Sequence, residues 1–195
     1  MGLWHNRLLV DCTEALVLSK HFSPSFWHSP LARAPRHLRP WLCEQGSLTQ
    51  RLIAHFPSFS VRVLRQGYYR AHLDEQLIFT PRFERVATRE VLLCSENTPL
   101  VFAHSITSRS SMRRGFYLLG RTGSRPLGAL LFADPKIKRS CLSCRQIDRR
   151  HLLWRKAVAA AGPQAKTLWA RRSVFYSGQD QLLITEVFLS PLLIP

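Results

Sequence analysis

Acidic residues are scarce in this chain. Twelve Asp and Glu stand against 28 Lys and Arg in 195 residues, for a formal charge of +16. Such an imbalance suits nucleic acid, an anionic membrane or a small anionic substrate. It suits a generic solvated basic surface equally well and says nothing of fold. Long apolar runs are also lacking. The N-terminal stretch at 8–18 is interrupted by Asp11 and Glu14, which makes it a poor signal-peptide core and far too short to cross a bilayer. No stable membrane insertion is expected. Cysteine is sparse and odd in number, five in all with no framework spacing, which points to a reducing compartment and a cytoplasmic protein. Cys141 and Cys144 form a CxxC, but no second CxxC or finger-spaced His pair follows to complete a zinc site. Nor does the pair sit between a strand and a helix of a βαβ unit. Two incidental cysteines are the expectation, and no metal is assigned. Repeats are absent as well.

What is present is an ordinary core-forming composition, 46% hydrophobic, enough for one domain. Prolines 24, 30 and 35 break any periodicity in residues 1–37, so a poorly structured N-terminal extension is expected there, followed by a single domain over 38–195. A short helical pattern around Trp41 and Leu42 stops at Gly46. Ser47 then caps a second helix, with Gln50 in capping-box position and Leu48, Leu52, Ile53 and Phe56 as its stripe. The segment 59–65 alternates as a strand, with Gly67 as a bulge or bend. Two strands flank the turn residues 95–99, and a helical turn is expected at Tyr117–Leu119 and again near Leu127–Leu130. The segment 136–147 reads as one strand, and 152–161 as a helix stopped by Gly162-Pro163. Strands at 169–176 and 181–189 close a hairpin through Ser177–Asp180. Hairpin-joined strands with helices inserted in blocks predict an α+β fold with a mostly antiparallel sheet.

Two charges stand out because their strands are otherwise apolar. Arg89 is in phase with Val91 and Leu93, and Glu186 with Leu182, Ile184 and Phe188, since strand side chains alternate with period two. A buried charge is costly unless an opposite charge meets it. Arg89 and Glu186 either form a structural ion pair across the sheet or hold opposite ends of a polar ligand in a closed pocket. The residues alone leave both open.

The ordered segments GSLTQRL (46–52), VRVLRQGY (61–68), REVLLC (89–94), RPLGALLF (125–132), WARRSVFYSG (169–178) and LLITEVFL (182–189) together resemble the bacterial chorismate lyases, also called chorismate–pyruvate lyases or 4-hydroxybenzoate synthases. The resemblance runs from Trp41 to Leu192, with residues 136–168 unmatched and longer than is usual. It implies an antiparallel sheet with helices on one side and an internal ligand pocket closed by flaps. The activity it implies is removal of pyruvate from chorismate to give 4-hydroxybenzoate, the first step toward ubiquinone, with neither metal nor organic cofactor. Carried over by motif, Arg89 is expected to hold the ring carboxylate and Glu186 to hydrogen-bond the ring hydroxyl. Main-chain groups at Leu48 and Leu127 are expected to contact the ligand. Chorismate, 4-hydroxybenzoate and pyruvate are then the partners of a monomer, with no nucleic acid.

That chemistry makes sense of the residues. Chorismate is a dianion whose aromatisation supplies much of the driving force, so the protein must chiefly position it, exclude water and meet its charges. An Arg fork matches a carboxylate bidentately. The enolpyruvyl carboxylate requires its own cation, and of the strand neighbours Arg171 and Arg172 at most one can face the pocket. His104, a single His in an apolar strand, reads as a structural residue. The alternative is a small-molecule sensor domain of the same fold. No helix-turn-helix is legible in residues 1–40, and the aromatic–basic strand motifs of RNA-binding domains are missing.

Overall fold

The computed structural model describes residues 27–28, 31–76, 78, 85–117, 120 and 122–193. Its frame is a seven-stranded sheet: β1 (Phe59–Arg70), β2 (Arg85–Ser95), β3 (Thr98–Thr107), β4 (Ile137–Arg139), β5 (Ser143–Asp148), β6 (Thr167–Ser177) and β7 (Asp180–Phe188). The strand order is β1-β2-β3-β7-β6-β4, with β5 also paired to β6, and every pairing is antiparallel. Helices are α1 (Arg39–Leu42), α2 (Leu48–His55), α3 (Leu73–Gln76), α4 (Arg109–Arg113), α5 (Leu127–Ala133), α6 (Leu152–Ala161) and α7 (Ser190–Leu193). The expected α+β class and antiparallel sheet are both present.

Local chemistry explains the element ends. Ser47 accepts a hydrogen bond from the Gln50 amide at 3.3 Å and caps α2 as the sequence predicts. α6 ends where Gly162 takes φ +81°, a region that side-chain-bearing residues avoid. Two expectations need correction and one is not reached. β1 runs to Arg70, and its irregularity lies between Val63 and Arg65, not at Gly67. The single strand expected at 136–147 is two strands, β4 and β5, both on the outer edge of β6. The helical turn expected at Tyr117–Leu119 lies largely outside the described residues.

The central strands are covered on both faces, and alternation sorts their side chains. One face sends Val91, Leu93, Val101, Ala103, Trp169 and Phe188 against Trp41, Leu48 and Leu52 of α1 and α2 and Leu192 of α7. The other sends Leu92, Phe102, Leu168, Ala170 and Val187 against Leu153 and Ala157 of α6 and against Trp27. Helical cover is therefore shared between the two faces, because strands apolar on both sides leave neither free for water. Most of the expected N-terminal extension lies outside the described residues. Trp27, however, is fully buried, and its indole Nε1 donates to Asp74 at 3.0 Å.

His104 faces α6, on the side of the sheet away from the Arg89–Glu186 row. Its Nδ1 is 3.0 Å from Glu90 Oε1, and its Nε2 lies 3.0 Å from Glu75 Oε1 as an ion pair off the ideal hydrogen-bond line. Lys156 completes the cluster on Glu90. Burial pushes both carboxyls up, but His104 outweighs it, joined by Lys156 at Glu90, and both settle at about 2 against an ordinary 4.5. Burial lowers the imidazole, but the two carboxylates outweigh it and raise its pKa above 6.5. A depressed acid stabilises fully above its unfolded pKa and loses that contribution as pH falls through the folded one. A raised histidine does the reverse, stabilising fully below 6.5 and less as pH climbs through its folded value. Thermal melts across pH should therefore show the cluster's greatest contribution between 4.5 and 6.5, with a drop as pH falls from 4.5 toward 2. Glu90→Gln should flatten the acid limb. An acid limb identical to wild type would show that the pair contributes nothing.

Candidate active site

Cross-strand register builds the site row by row on the face that packs against α2. Val91, Ala103, Glu186 and Arg171 stand side by side in one row, and Arg89, Ser105, Ile184 and Ser173 in the next. A third row ends in Phe175 beside Arg139. Arg89 and Glu186 thus share a face, two strand spacings across and two residues along, with Cα atoms about 12 Å apart.

All of these residues except Ser173 line a cavity of about 50 Å³ together with Gly46, Leu48, Thr49, Pro126, Leu127, Gly128 and Phe132. A neighbouring cavity of about 100 Å³ shares Arg89 and Ser105 and is bordered by Gln66, Thr107 and Met112. All four sequence-predicted site residues, Arg89, Glu186, Leu48 and Leu127, meet at the first cavity. Leu48 opens α2 and Leu127 opens α5, so two helix starts form its wall. Their close approach depends on Gly128, where an added Cβ would come within 3.0 Å of Ser47 Oγ, the atom that caps α2.

Arg89 is 4% exposed, and among the described residues it has no carboxylate partner. Its Nη1 donates to Gln66 Oε1 at 3.3 Å and its Nη2 to the Arg125 carbonyl at 3.4 Å, both long for a guanidinium. Burial alone pulls its pKa down. Glu186 is instead paired with Arg171, its direct neighbour in register, whose Nε donates to Oε2 at 2.6 Å. The cross-sheet Arg89–Glu186 ion pair, one of the two arrangements the sequence allows, is therefore not formed. Glu186 Oε1 carries no hydrogen bond within the described residues and remains available as an acceptor.

Arg171 and Arg172 part company as strand neighbours must. Arg171 is fully buried and lines the cavity. Arg172 crosses to the other face, 3.3 Å from Asp74 and 4.0 Å from the Trp27 ring centre. Cys144, from the CxxC, is a buried free thiol raised to about 11 chiefly by burial, unsuited to redox or metal chemistry. Sequence reasoning missed Arg139. It sits in the short strand β4, inside the unmatched segment, and donates to Ser173 Oγ at 2.8 Å and to the Gln45 carbonyl at 3.0 Å. The one available signal was its phase with Ile137, since both are buried while Lys138 between them is exposed.

The profile of the family described as "Chorismate lyase" matches residues 25–194. The chain belongs to the chorismate lyase family. A protein of Aromatoleum aromaticum named "Probable chorismate pyruvate-lyase" is 46% identical over 167 residues, covering 84% of this chain and 90% of its own. An Azoarcus protein of the same name is 44% identical over 179 residues, covering 87% and 95%. Among solved structures, the effector domain of PhnF from Mycobacterium smegmatis superposes with a TM-score of 0.52 at 13% identity, over 76% of this chain and 91% of that one. Full-length PhnF gives 0.54, also at 13% identity, over 76% and 65%. At such identity the likeness to PhnF is one of fold alone. The chorismate lyase family thus shares its sheet with effector domains, and side chains must tell what the cavity does.

Proposed function

We propose that this chorismate lyase family member converts chorismate to 4-hydroxybenzoate and pyruvate within the Arg89–Glu186 cavity. The observation that carries this reading is a buried guanidinium whose only hydrogen bonds within the described residues are two long ones to neutral oxygens, on the same face as a carboxylate with one oxygen unbonded among those residues. Evolution seldom leaves a buried charge so poorly met unless a ligand completes it. Arg89 takes the ring carboxylate and Glu186 Oε1 accepts from the ring hydroxyl at the far end. Main-chain groups of Leu48 and Leu127 border the ring, and the apolar lining of Val91, Ala103 and Ile184 excludes water from it.

In the reaction the C4 hydrogen is lost and the bond from the neighbouring ring carbon to the enolpyruvyl oxygen breaks. The ring becomes aromatic, and the departing enolate takes up a proton as pyruvate. Glu186 is placed to accept the C4 proton in a base-assisted elimination. No cofactor is required, because the driving force resides in aromatisation. The protein acts as a monomer in this reading. The product is the aromatic precursor of ubiquinone, made in the cytoplasm from soluble metabolites.

The test is direct. Purified protein given chorismate with no metal added should yield 4-hydroxybenzoate and pyruvate in equal amounts, followed by absorbance and by coupled pyruvate reduction. Tight binding of aromatic acids without turnover would instead identify a sensor.

A further inference from the structure

The cavity holds more positive charge than the roles of Arg89 and Glu186 explain. Three guanidiniums, Arg89, Arg139 and Arg171, face it with one carboxylate, Glu186. One carboxylate on the ligand would satisfy Arg89 and leave a surplus at the opposite wall. That surplus is local: Arg171 on β6 stands three strand spacings across and two residues along from Arg89, about 16 Å between Cα atoms, and Arg139 lies one strand further still.

The hydrogen bonding of these two residues shows what is left over. Arg171 commits Nε to Glu186 at 2.6 Å and Nη1 to the carbonyls of Trp41 at 2.8 Å and Glu44 at 2.9 Å. Its Nη2 is buried and has no hydrogen-bond partner among the described residues. Arg139 commits Nε to Ser173 and Nη1 to the carbonyls of Gln45 and Gly46. Its own Nη2 makes no hydrogen bond within the described residues. An unpaired guanidinium donor in a fully buried side chain is a costly arrangement that a bound acceptor relieves. Burial, followed by repulsion from Arg171, lowers the Arg139 pKa to about 10. The packing also fixes their direction. Phe132 and Phe175 flank the Arg139 guanidinium, with ring centres 5.5 and 5.3 Å from its central carbon.

Resting on the chorismate reading above, we infer that Arg139 and Arg171 form a second carboxylate subsite that takes the enolpyruvyl carboxylate of the substrate. The ligand is then gripped at both acidic ends, ring carboxylate on Arg89 and side-chain carboxylate on Arg139 and Arg171, with Glu186 between them on β7. The two charges of the dianion match the two surplus charges of the cavity as a whole, one at Arg89 and one at the Arg139–Arg171 wall. Arg171 also holds Glu186 in place, so the cation that receives the leaving group positions the carboxylate that meets the ring hydroxyl. Once the carbon–oxygen bond breaks, pyruvate carries its carboxylate away from this subsite while 4-hydroxybenzoate stays on Arg89.

The subsite separates substrate affinity from product affinity, and that is its test. Two non-reacting ligands serve as probes: 3-(1-carboxyethoxy)-4-hydroxybenzoate, a dianion, and 3-ethoxy-4-hydroxybenzoate, the same ring without the second carboxylate. Wild-type protein should bind the dianion about tenfold to a hundredfold more tightly, the range for charge-assisted hydrogen bonds to a buried cation. Arg139→Gln should erase most of that preference and raise KM for chorismate, with 4-hydroxybenzoate affinity within about twofold of wild type. Equal binding of the two probes by wild-type protein would overturn the subsite even if Arg139→Gln does not fold. Equal loss of substrate and product affinity in a folded Arg139→Gln would overturn it too. Failure of the chorismate reading looks different, since wild-type protein would then leave chorismate unconverted, whatever the two probes show.

Discussion

Arg89→Ala is expected to weaken 4-hydroxybenzoate binding by about a hundredfold or more, corresponding to roughly 3 kcal/mol, the usual cost of removing one partner of a buried charge pair. The change deletes the guanidinium from a position that is 4% exposed, leaving a ligand carboxylate in an apolar enclosure with only polar neighbours such as Gln66 and Ser105 for company. Because the interaction is made in ground state and transition state alike, KM for chorismate should rise much more than kcat falls. Arg89→Lys should recover only part of the loss, since a point charge cannot reproduce the bidentate fork. Stability should hold or improve in the alanine variant, because Arg89 is a buried cation with no carboxylate partner among the described residues. Isothermal titration with 4-hydroxybenzoate, together with a melting curve, decides the matter. Unchanged affinity would remove Arg89 from the site.

Glu186→Gln is expected to act on the other kinetic parameter. The amide oxygen still accepts a hydrogen bond from the ring hydroxyl, so product affinity should change only a few-fold. Proton acceptance is lost, and kcat should drop by about a hundredfold to ten-thousandfold, the range for a positioned general base. Full activity would assign the elimination to a concerted path that needs no base. The same substitution strips Arg171 of its anion, and a fully buried guanidinium left uncompensated costs about 3–5 kcal/mol. Glu186→Gln should therefore melt earlier than wild type, in contrast to Arg89→Ala. The opposite signs of the two stability changes follow directly from which guanidinium has a carboxylate and which does not.

That division of labour among the arginines bears on the +16 charge. Much of the basic surplus is surface, but the part that matters is internal and directional. Arg89 waits at one wall, Arg171 and Arg139 at the other; carbonyls or hydroxyls help fix the geometry of each, and of the three only Arg171 is also paired with a carboxylate, Glu186, among the described residues. Preorganised donors of this kind need little rearrangement when a charged ligand arrives.

Periodicity alone placed Arg89 and Glu186 on cavity-facing rows, because a strand's alternation is a local property that survives any tertiary arrangement. The Ser47 cap, the α6 stop at Gly162 and the antiparallel hairpins were legible for the same reason: short-range hydrogen bonding and φ preferences decide them. Leu48 and Leu127 were reached only through family resemblance, since nothing in an isolated helix start announces a cavity wall. The tertiary structure decided what the charges do. Register across β7 and β6 set Glu186 beside Arg171 rather than Arg89, and no local pattern encodes which strands become neighbours. It also brought in Arg139, whose three-residue strand offers only Ile137 in phase with it and whose partners lie some 30 to 90 residues away. Single strands can be read from spacing. A site assembled across five of them depends on pairings between distant parts of the chain, which only the folded sheet fixes.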